Sequence, residues 1–240
     1  IYYMNIVLVC INNFQEYILD NITQLIKLQH ENIYVITNPQ FFPAFDRFSG
    51  KVKLVNIDEL PDTFNFYSKT SLDKSFRNGF WFSASYRFFI LADFMNALEI
   101  ENCVHLENDV VLYFDPTDRV EQFRVFAEFA VPLDRVRAIP GIVWFKNADI
   151  AVKLIQFISH RSDSNDMDTL GAFALRDDLG SKPLPTVPLG YAQSKNLALD
   201  RYCQGLEAFG GIFDGAAIGQ YIGGVHWMND PSSTRFFENE

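Results

Sequence analysis

The sequence predicts a mixed α/β fold in which helices flank a mostly parallel, Rossmann-like central sheet. The apolar run at residues 3–10 is typical of a buried strand, and a helical pattern follows at residues 15–28. Two further strands are predicted at Ile33–Thr37 and Val52–Asn56. A strand, a helix and a second strand within about 35 residues indicate a βαβ unit, whose two strands lie parallel in one sheet.

The elements after the third strand alternate between helices and strands. Residues 63–82 indicate a long ordered loop, and residues 83–98 a helix that is apolar nearly all round and therefore buried. A strand at Cys103–Leu106 is followed by an extended segment at residues 110–114. The second half of the chain predicts strands at residues 124–131 and 141–145, helices at 148–158, 167–175 and 214–222, and an irregular, proline-rich segment at 180–191.

Composition favours a single domain that spans residues 1–240. The chain is 48% apolar and 21% charged, which is typical of a globular protein with a large core. A formal net charge of −10 argues against a nucleic-acid partner, because duplex binding depends on a basic surface. An anionic ligand would then need local positive charge, which a bound metal ion can supply.

Neither the cysteines nor the apolar segments indicate a covalent framework or a membrane anchor. The three cysteines are widely spaced and form no zinc-binding pair. No apolar run approaches the roughly 20 residues that a membrane-spanning helix requires. We expect a soluble, cytoplasmic protein with no membrane-spanning segment, and the alternative is a luminal catalytic domain whose anchor has been removed.

An acidic triplet, Glu107-Asn108-Asp109, follows the strand at Cys103–Leu106. In an α/β sheet this position is the carboxyl edge, where ligands of such folds bind. Two carboxylates one residue apart can hold Mg²⁺ or Mn²⁺ and leave coordination positions open for phosphate oxygens. The alternative interpretation is a solvated turn at the end of the strand.

The triplet and two other segments resemble the nucleotide-sugar glycosyltransferases of the GT-A fold. The triplet is similar to their DxD motif, although Glu107 replaces the usual first Asp. Residues 85–91 resemble the helix that carries an Arg toward the nucleotide, and residues 213–227 resemble the C-terminal region of several GT-A families. More loosely, the compact form is similar to the soluble transferases of large algal viruses.

The resemblance implies a nucleotide-sugar-binding half at residues 1–115, an acceptor-binding half at 116–240, and Mn²⁺ or Mg²⁺ as cofactor. The implied metal ligands are Asp109, Glu107 and His226. The implied donor-binding residues are Ile11, Asn12, Asn13, Asn38, Asp58, Arg87 and Asn108. The implied catalytic candidates are Asp214, Asp166 and Asp168, any of which would serve as the base of an inverting enzyme.

Each implied residue also has a purely structural interpretation. Arg87 lies in an apolar helix and must find an anion, either Asp93 or another carboxylate. Asp214 is also a candidate helix N-cap, His226 a stacked loop histidine, and the acidic stretch around Asp166 a solvated turn.

The resemblance implies transfer of a sugar, most simply from a UDP-sugar, to a hydroxyl of a glycan or glycoprotein acceptor. One rival is a phosphatase or nucleotidyltransferase on a related sheet. The first strand ends in Cys10-Ile11-Asn12-Asn13, and so lacks both the DxD of such a phosphatase and the glycine-rich basic loop of a sugar nucleotidyltransferase. The other rival is a non-catalytic module that binds nucleotides or carbohydrates.

Overall fold

A computed structural model describes residues 2–75, 79–161 and 164–213 of the chain. The helix predicted at residues 214–222, together with Asp214 and His226, lies outside these described residues. Within them, no helix combines the length and the apolar character needed to cross a lipid bilayer.

The described strands form one mixed, mostly parallel sheet. They are β1 (Asn5–Cys10), β2 (Ile33–Thr37), β3 (Val52–Asn56), β4 (Cys103–Leu106), β5 (Phe129–Asp134), β6 (Arg137–Ala138), β7 (Ile142–Phe145) and β8 (Ser181–Leu184). The spatial order is β3-β2-β1-β4-β7-β5-β6, with β8 paired to β5. Strands β1 to β4 pair in parallel, and β7 runs antiparallel to both β4 and β5. The predicted fold class is therefore confirmed.

Helices cover both faces of the sheet. The described α-helices are α1 (Ile18–Lys27), α2 (Phe66–Lys69), α3 (Phe80–Ala97), α4 (Val120–Phe126), α5 (Ala148–Ser159), α6 (Asp166–Ala174), α7 (Leu189–Ser194), α8 (Leu199–Tyr202) and α9 (Leu206–Phe209). Along β1, Val7 packs in the core beneath α3 and α5, whereas Ile6 and Leu8 pack in the core beneath α1. Because both faces are buried, the strand is a continuous apolar run.

Two segments that had been predicted as strand or loop contain helices. The strand predicted at residues 124–131 was wrong at residues 124–126, which belong to the end of α4, a helix that buries Val120, Phe123 and Phe126. Their three-residue spacing matches a helix, and β5 begins only at Phe129. The predicted loop at residues 63–82 contains α2 and the first residues of α3.

The segment at residues 180–191 is more regular than its prolines indicate. Pro183 lies in β8, which pairs only with β5 among the described strands. Such an edge strand tolerates a residue without an N–H, because one side of it needs no hydrogen-bonding partner. Pro188 directly precedes α7, where its missing N–H breaks no helical hydrogen bond.

The extended segment predicted at residues 110–114 forms no strand. The carbonyl oxygen of Leu112 accepts a hydrogen bond from Gln24 Nε2 on α1, at 3.0 Å. This part of the chain is therefore held by side chains of α1 and not by a neighbouring strand.

Helix α6 approaches the backbone of β6 through Gly171. A Cβ atom at this position would overlap the carbonyl oxygen of Val136 and lie 2.9 Å from the nitrogen of Ala138. We expect Gly171→Ala to lower the free energy of unfolding by about 3 kcal/mol, because both neighbours are backbone atoms that cannot turn aside. Urea denaturation measures the loss. Gly190→Ala in α7 is the control, since nothing lies within 4 Å of its added Cβ; equal effects of the two substitutions would contradict the prediction.

Candidate functional site

The acidic triplet forms a turn at the carboxyl edge of the sheet, directly after β4. The N–H of Glu107 donates to the carbonyl oxygen of Gly141 at 3.0 Å, and the N–H of Val110 donates to the carbonyl of Glu107 at 3.1 Å. Asp109 is exposed, whereas the Glu107 side chain is 35% exposed. The turn therefore presents two carboxylates at the edge where α/β folds bind ligands.

Asn108, between the two carboxylates, is turned into the protein. Its Nδ2 donates to the carbonyl oxygen of Val9 at 2.9 Å and to Gln15 Oε1 at 2.5 Å, and the residue is only 6% exposed. These bonds tie the turn to the end of β1. The amide hydrogens of Asn108 are thus used inside the protein, whereas its Oδ1 has no hydrogen-bond partner among the described residues.

Side chains of helix α1, and His30 just after it, hold the segment that follows β4. Asn21 Nδ2 donates to the carbonyl oxygen of Glu107 at 3.1 Å, and Gln24 reaches Leu112 further along. Beyond the helix, His30 Nδ1 lies 2.7 Å from Asp115 Oδ1. Sequence reasoning missed Asn21, although a signal existed: it is a polar residue on the buried face of an amphipathic helix, beside Ile18 and Ile22.

Arg87 links the acidic turn to the start of α6. Its Nη1 donates to Glu107 Oε1 at 2.5 Å and its Nη2 donates to Asp166 Oδ2 at 3.1 Å. The Arg87 side chain is 12% exposed and that of Asp166 is 3% exposed. Sequence analysis proposed all three residues but did not predict that they form one cluster.

Asp93, one of the partners considered for Arg87, does not contact it. Arg87 and Asp93 are six residues apart in an α-helix, which places them about 240° apart around the helix axis. Their side chains therefore lie on different faces of α3. Asp93 instead accepts a hydrogen bond from the N–H of Thr63 at 3.2 Å.

The charges of this cluster perturb one another. Burial would lower the pKa of Arg87, but the charges of Glu107 and Asp166 outweigh it and raise that pKa. Burial raises the pKa of Asp166, with Glu107 adding to the effect and Arg87 opposing it. Partial desolvation and the charge of Glu107 raise the pKa of Asp109. All of these carboxylates would therefore be stabilised in their ionised form by an additional cation.

His105, on β4 beside this cluster, is neutral. Burial lowers its pKa to about 3, and the charge of Arg87 adds to the effect. Its Nδ1–H donates to the carbonyl oxygen of Val7 at 2.9 Å. His105 is thus part of the support beneath the turn and adds no positive charge near neutral pH.

The ends of β1 and β2 bring several of the predicted donor-binding residues together. The N–H of Asn12 donates to Asn38 Oδ1 at 2.7 Å, and the N–H of Asn13 donates to the carbonyl of Ile11 at 2.7 Å. Asn12 has a φ of 65°, which its short polar side chain tolerates. Asp58 is exposed beyond the end of β3, two strands from β1 and so about 10 Å away along the sheet.

Tyr17, which the sequence analysis did not select, also lies near the acidic turn. It directly precedes α1 and is 45% exposed. Desolvation raises the pKa of its phenol, and the charges of Asp109 and Glu107 raise it further. The only sequence signal is an aromatic residue in the loop after β1, which is a weak one.

Asp168 occupies a different environment from Asp166, although both lie in the first turn of α6. Its Oδ1 accepts from Arg137 Nε at 2.9 Å, and its Oδ2 accepts from Asn165 Nδ2 at 2.7 Å. Asn165 Oδ1 in turn accepts from the N–H of Asp168 and caps the helix. Both oxygens of this exposed carboxylate are therefore engaged.

The two carboxylates of the turn fit an open metal site better than a closed one. Among the described residues, no group of three or more His, Cys, Asp or Glu side chains is placed to hold a metal ion. Glu107 and Asp109 carry the hard oxygen atoms that Mg²⁺ or Mn²⁺ prefers, and an ion held by them would take its remaining ligands from water and phosphate oxygens. His226 lies outside the described residues.

The fold and this cluster define the chain as an α/β protein with an acidic site at the carboxyl edge of its sheet. No protein-family model matches the sequence, and no curated protein matches it. Several solved structures are similar in backbone. The glycosyltransferase GlyE of Streptococcus pneumoniae TIGR4 has a TM-score of 0.49 and 15% identity over 84% of this chain and 53% of its own.

Two further similar structures are a cytidylyltransferase and a glycosyltransferase. The CTP:phosphocholine cytidylyltransferase LicC of Streptococcus pneumoniae has a TM-score of 0.42 and 11% identity, covering 76% of this chain and 89% of its own. The PaToxG glycosyltransferase has a TM-score of 0.38 and 13% identity, covering 87% and 78% respectively. The chain thus spans about half the length of GlyE and most of the length of the other two.

Proposed function

We propose that this chain is a divalent-metal-dependent glycosyltransferase of the GT-A type. It would move a sugar from a nucleotide-sugar donor, with a UDP-sugar favoured, to a hydroxyl of a glycan or glycoprotein. The observation that carries the proposal is the cluster of Glu107, Asp109 and Arg87 at the carboxyl edge of the parallel strands. Carboxylates for a metal beside a fixed cation are what a departing diphosphate requires.

The proposed metal ligands are Asp109, Glu107 and His226, with Asp109 the most accessible of the described two. A bound Mn²⁺ or Mg²⁺ would act as a Lewis acid that neutralises charge on the departing diphosphate. Arg87 provides a second positive charge that stays protonated throughout the working pH range. Because the buried Asp166 holds its guanidinium through Nη2, little reorganisation is needed when negative charge develops.

The proposed donor site lies along the ends of β1, β2 and β3. Ile11, Asn12 and Asn13 would line the base and ribose, with Asn38 holding Asn12 in place through the 2.7 Å bond. Asp58 would reach the far side of the nucleoside. Asn108 would fix the turn, because its amide hydrogens bind Val9 and Gln15, and its unpartnered Oδ1 is the atom left for the donor.

The candidate bases differ in their surroundings. Asp166 is buried against Arg87, and both oxygens of Asp168 accept hydrogen bonds from protein groups. Asp166 Oδ1 has no hydrogen-bond partner among the described residues, so this side chain keeps one unengaged proton acceptor. Asp214, Asp166 and Asp168 are the bases we propose for an inverting reaction, whereas a retaining reaction would need no such base.

Donor hydrolysis tests the proposal. Incubating the protein with a panel of UDP-sugars and Mn²⁺ should release UDP slowly even without acceptor, because water replaces the acceptor hydroxyl. Chelation of the metal should stop the release. A coupled assay for free UDP measures it, with protein-free mixtures as the control. If no common UDP-sugar is consumed, the result favours a non-catalytic binding module. Pyrophosphate release from a nucleoside triphosphate and a sugar phosphate would instead identify a nucleotidyltransferase.

A further inference from the structure

One carboxylate of the proposed metal site is shared with a protein cation. Glu107 Oε1 accepts a hydrogen bond from Arg87 Nη1 at 2.5 Å, whereas no described cation pairs with Asp109. A charge-assisted bond of this kind must be weakened before the same oxygen can coordinate a metal ion. Metal coordination by Glu107 therefore costs the free energy of weakening its bond to Arg87, whereas coordination by Asp109 carries no such cost.

Asp166 keeps Arg87 in place when Glu107 is taken away. It is 3% exposed and accepts from Nη2, the guanidinium nitrogen that Glu107 does not use. The guanidinium can therefore release Glu107 and still keep a buried partner, so it stays within reach of a diphosphate bound at the turn. Asp166 in this respect is a positioning residue and not a catalytic one.

We infer that Arg87 competes with the divalent cation for Glu107, so that the metal binds tightly only together with a diphosphate that takes over Arg87. This inference rests on the proposed function and adds to it that metal and diphosphate bind cooperatively. Metal alone would bind weakly, because it must displace the guanidinium from Glu107. A diphosphate would strengthen metal binding because its oxygens pair with the released Arg87. The donor would thereby assemble the complete site itself.

A double substitution tests the inference without changing the charge of the site. Arg87→Gln combined with Asp166→Asn removes one positive and one negative side chain, and so leaves the net charge unaltered while freeing Glu107. In the absence of nucleotide, we expect the dissociation constant for Mn²⁺, measured by calorimetry, to fall by about tenfold. At saturating Mn²⁺, we expect UDP affinity to fall by about tenfold, because Arg87 is gone.

The opposite signs of these two changes separate competition from structural damage, which would weaken both affinities. Arg176→Gln combined with Asp178→Asn is the matched control: it removes an exposed ion pair outside the proposed site and should alter neither affinity. Unchanged or weaker Mn²⁺ binding in the Arg87 and Asp166 variant, beside a wild type that binds Mn²⁺ and UDP, would overturn this inference alone. A wild type that binds no Mn²⁺ even with UDP would overturn the proposed function as well.

Discussion

Asp109→Asn should reduce metal-dependent UDP release by at least about a hundredfold, the range expected when charge stabilisation at a leaving group is lost. The amide has no negative charge and is a poor ligand for a hard cation. Because Asp109 is exposed, the free energy of unfolding should change by no more than about 0.5 kcal/mol. Turnover of a UDP-sugar with Mn²⁺ and calorimetry of UDP binding measure the loss.

Asp149→Asn is the control for that substitution. It removes the same charge from an exposed position in the first turn of α5 and should leave turnover unchanged. Metal-dependent UDP affinity that is the same in Asp109→Asn as in wild type would refute the assignment of Asp109 as a metal ligand.

Arg87→Met should lower the free energy of unfolding at neutral pH by about 3–5 kcal/mol, because it leaves the carboxylate of Asp166 buried without its cation. Adding Asp166→Asn should recover most of the loss, since no uncompensated charge remains. Chemical denaturation of the single and double variants measures both effects. Arg137→Met, which breaks an exposed pair, should cost no more than about 1 kcal/mol.

The loss in Arg87→Met should also depend on pH. Burial and Glu107 raise the pKa of Asp166, and removing Arg87 removes an opposing influence, so its pKa in the folded variant rises further. When the pKa of a carboxyl is higher in the folded protein than its unfolded value of about 3.9, the free energy of unfolding falls as the pH rises from the unfolded pKa to the folded pKa. The deficit relative to wild type should therefore shrink as the pH is lowered toward 4. A deficit independent of pH would show that lost packing, and not charge, is responsible.

Much of the fold could be predicted because the signals are local. Strands β2, β3 and β4 have the bounds that their apolar runs indicate, and α5 ends one residue beyond its predicted end. Predictions failed where the last residues of α4 were interpreted as the start of a strand, and where prolines were taken to exclude a strand, in β8. The edge position that admits Pro183 depends on the neighbours of β8, which the sequence does not give.

By itself, the sequence determined that two carboxylates follow a buried strand at the binding edge of an α/β sheet, because strand periodicity and chain order specify that edge. Only the tertiary structure decided the partners of these carboxylates. Arg87 lies 20 residues before Glu107 and 79 before Asp166, and packing of α3 against the sheet and α6 brings all three together. Asn108 likewise points inward because Val9 and Gln15 accept its amide hydrogens. Such contacts join residues distant in sequence, so no local pattern records them.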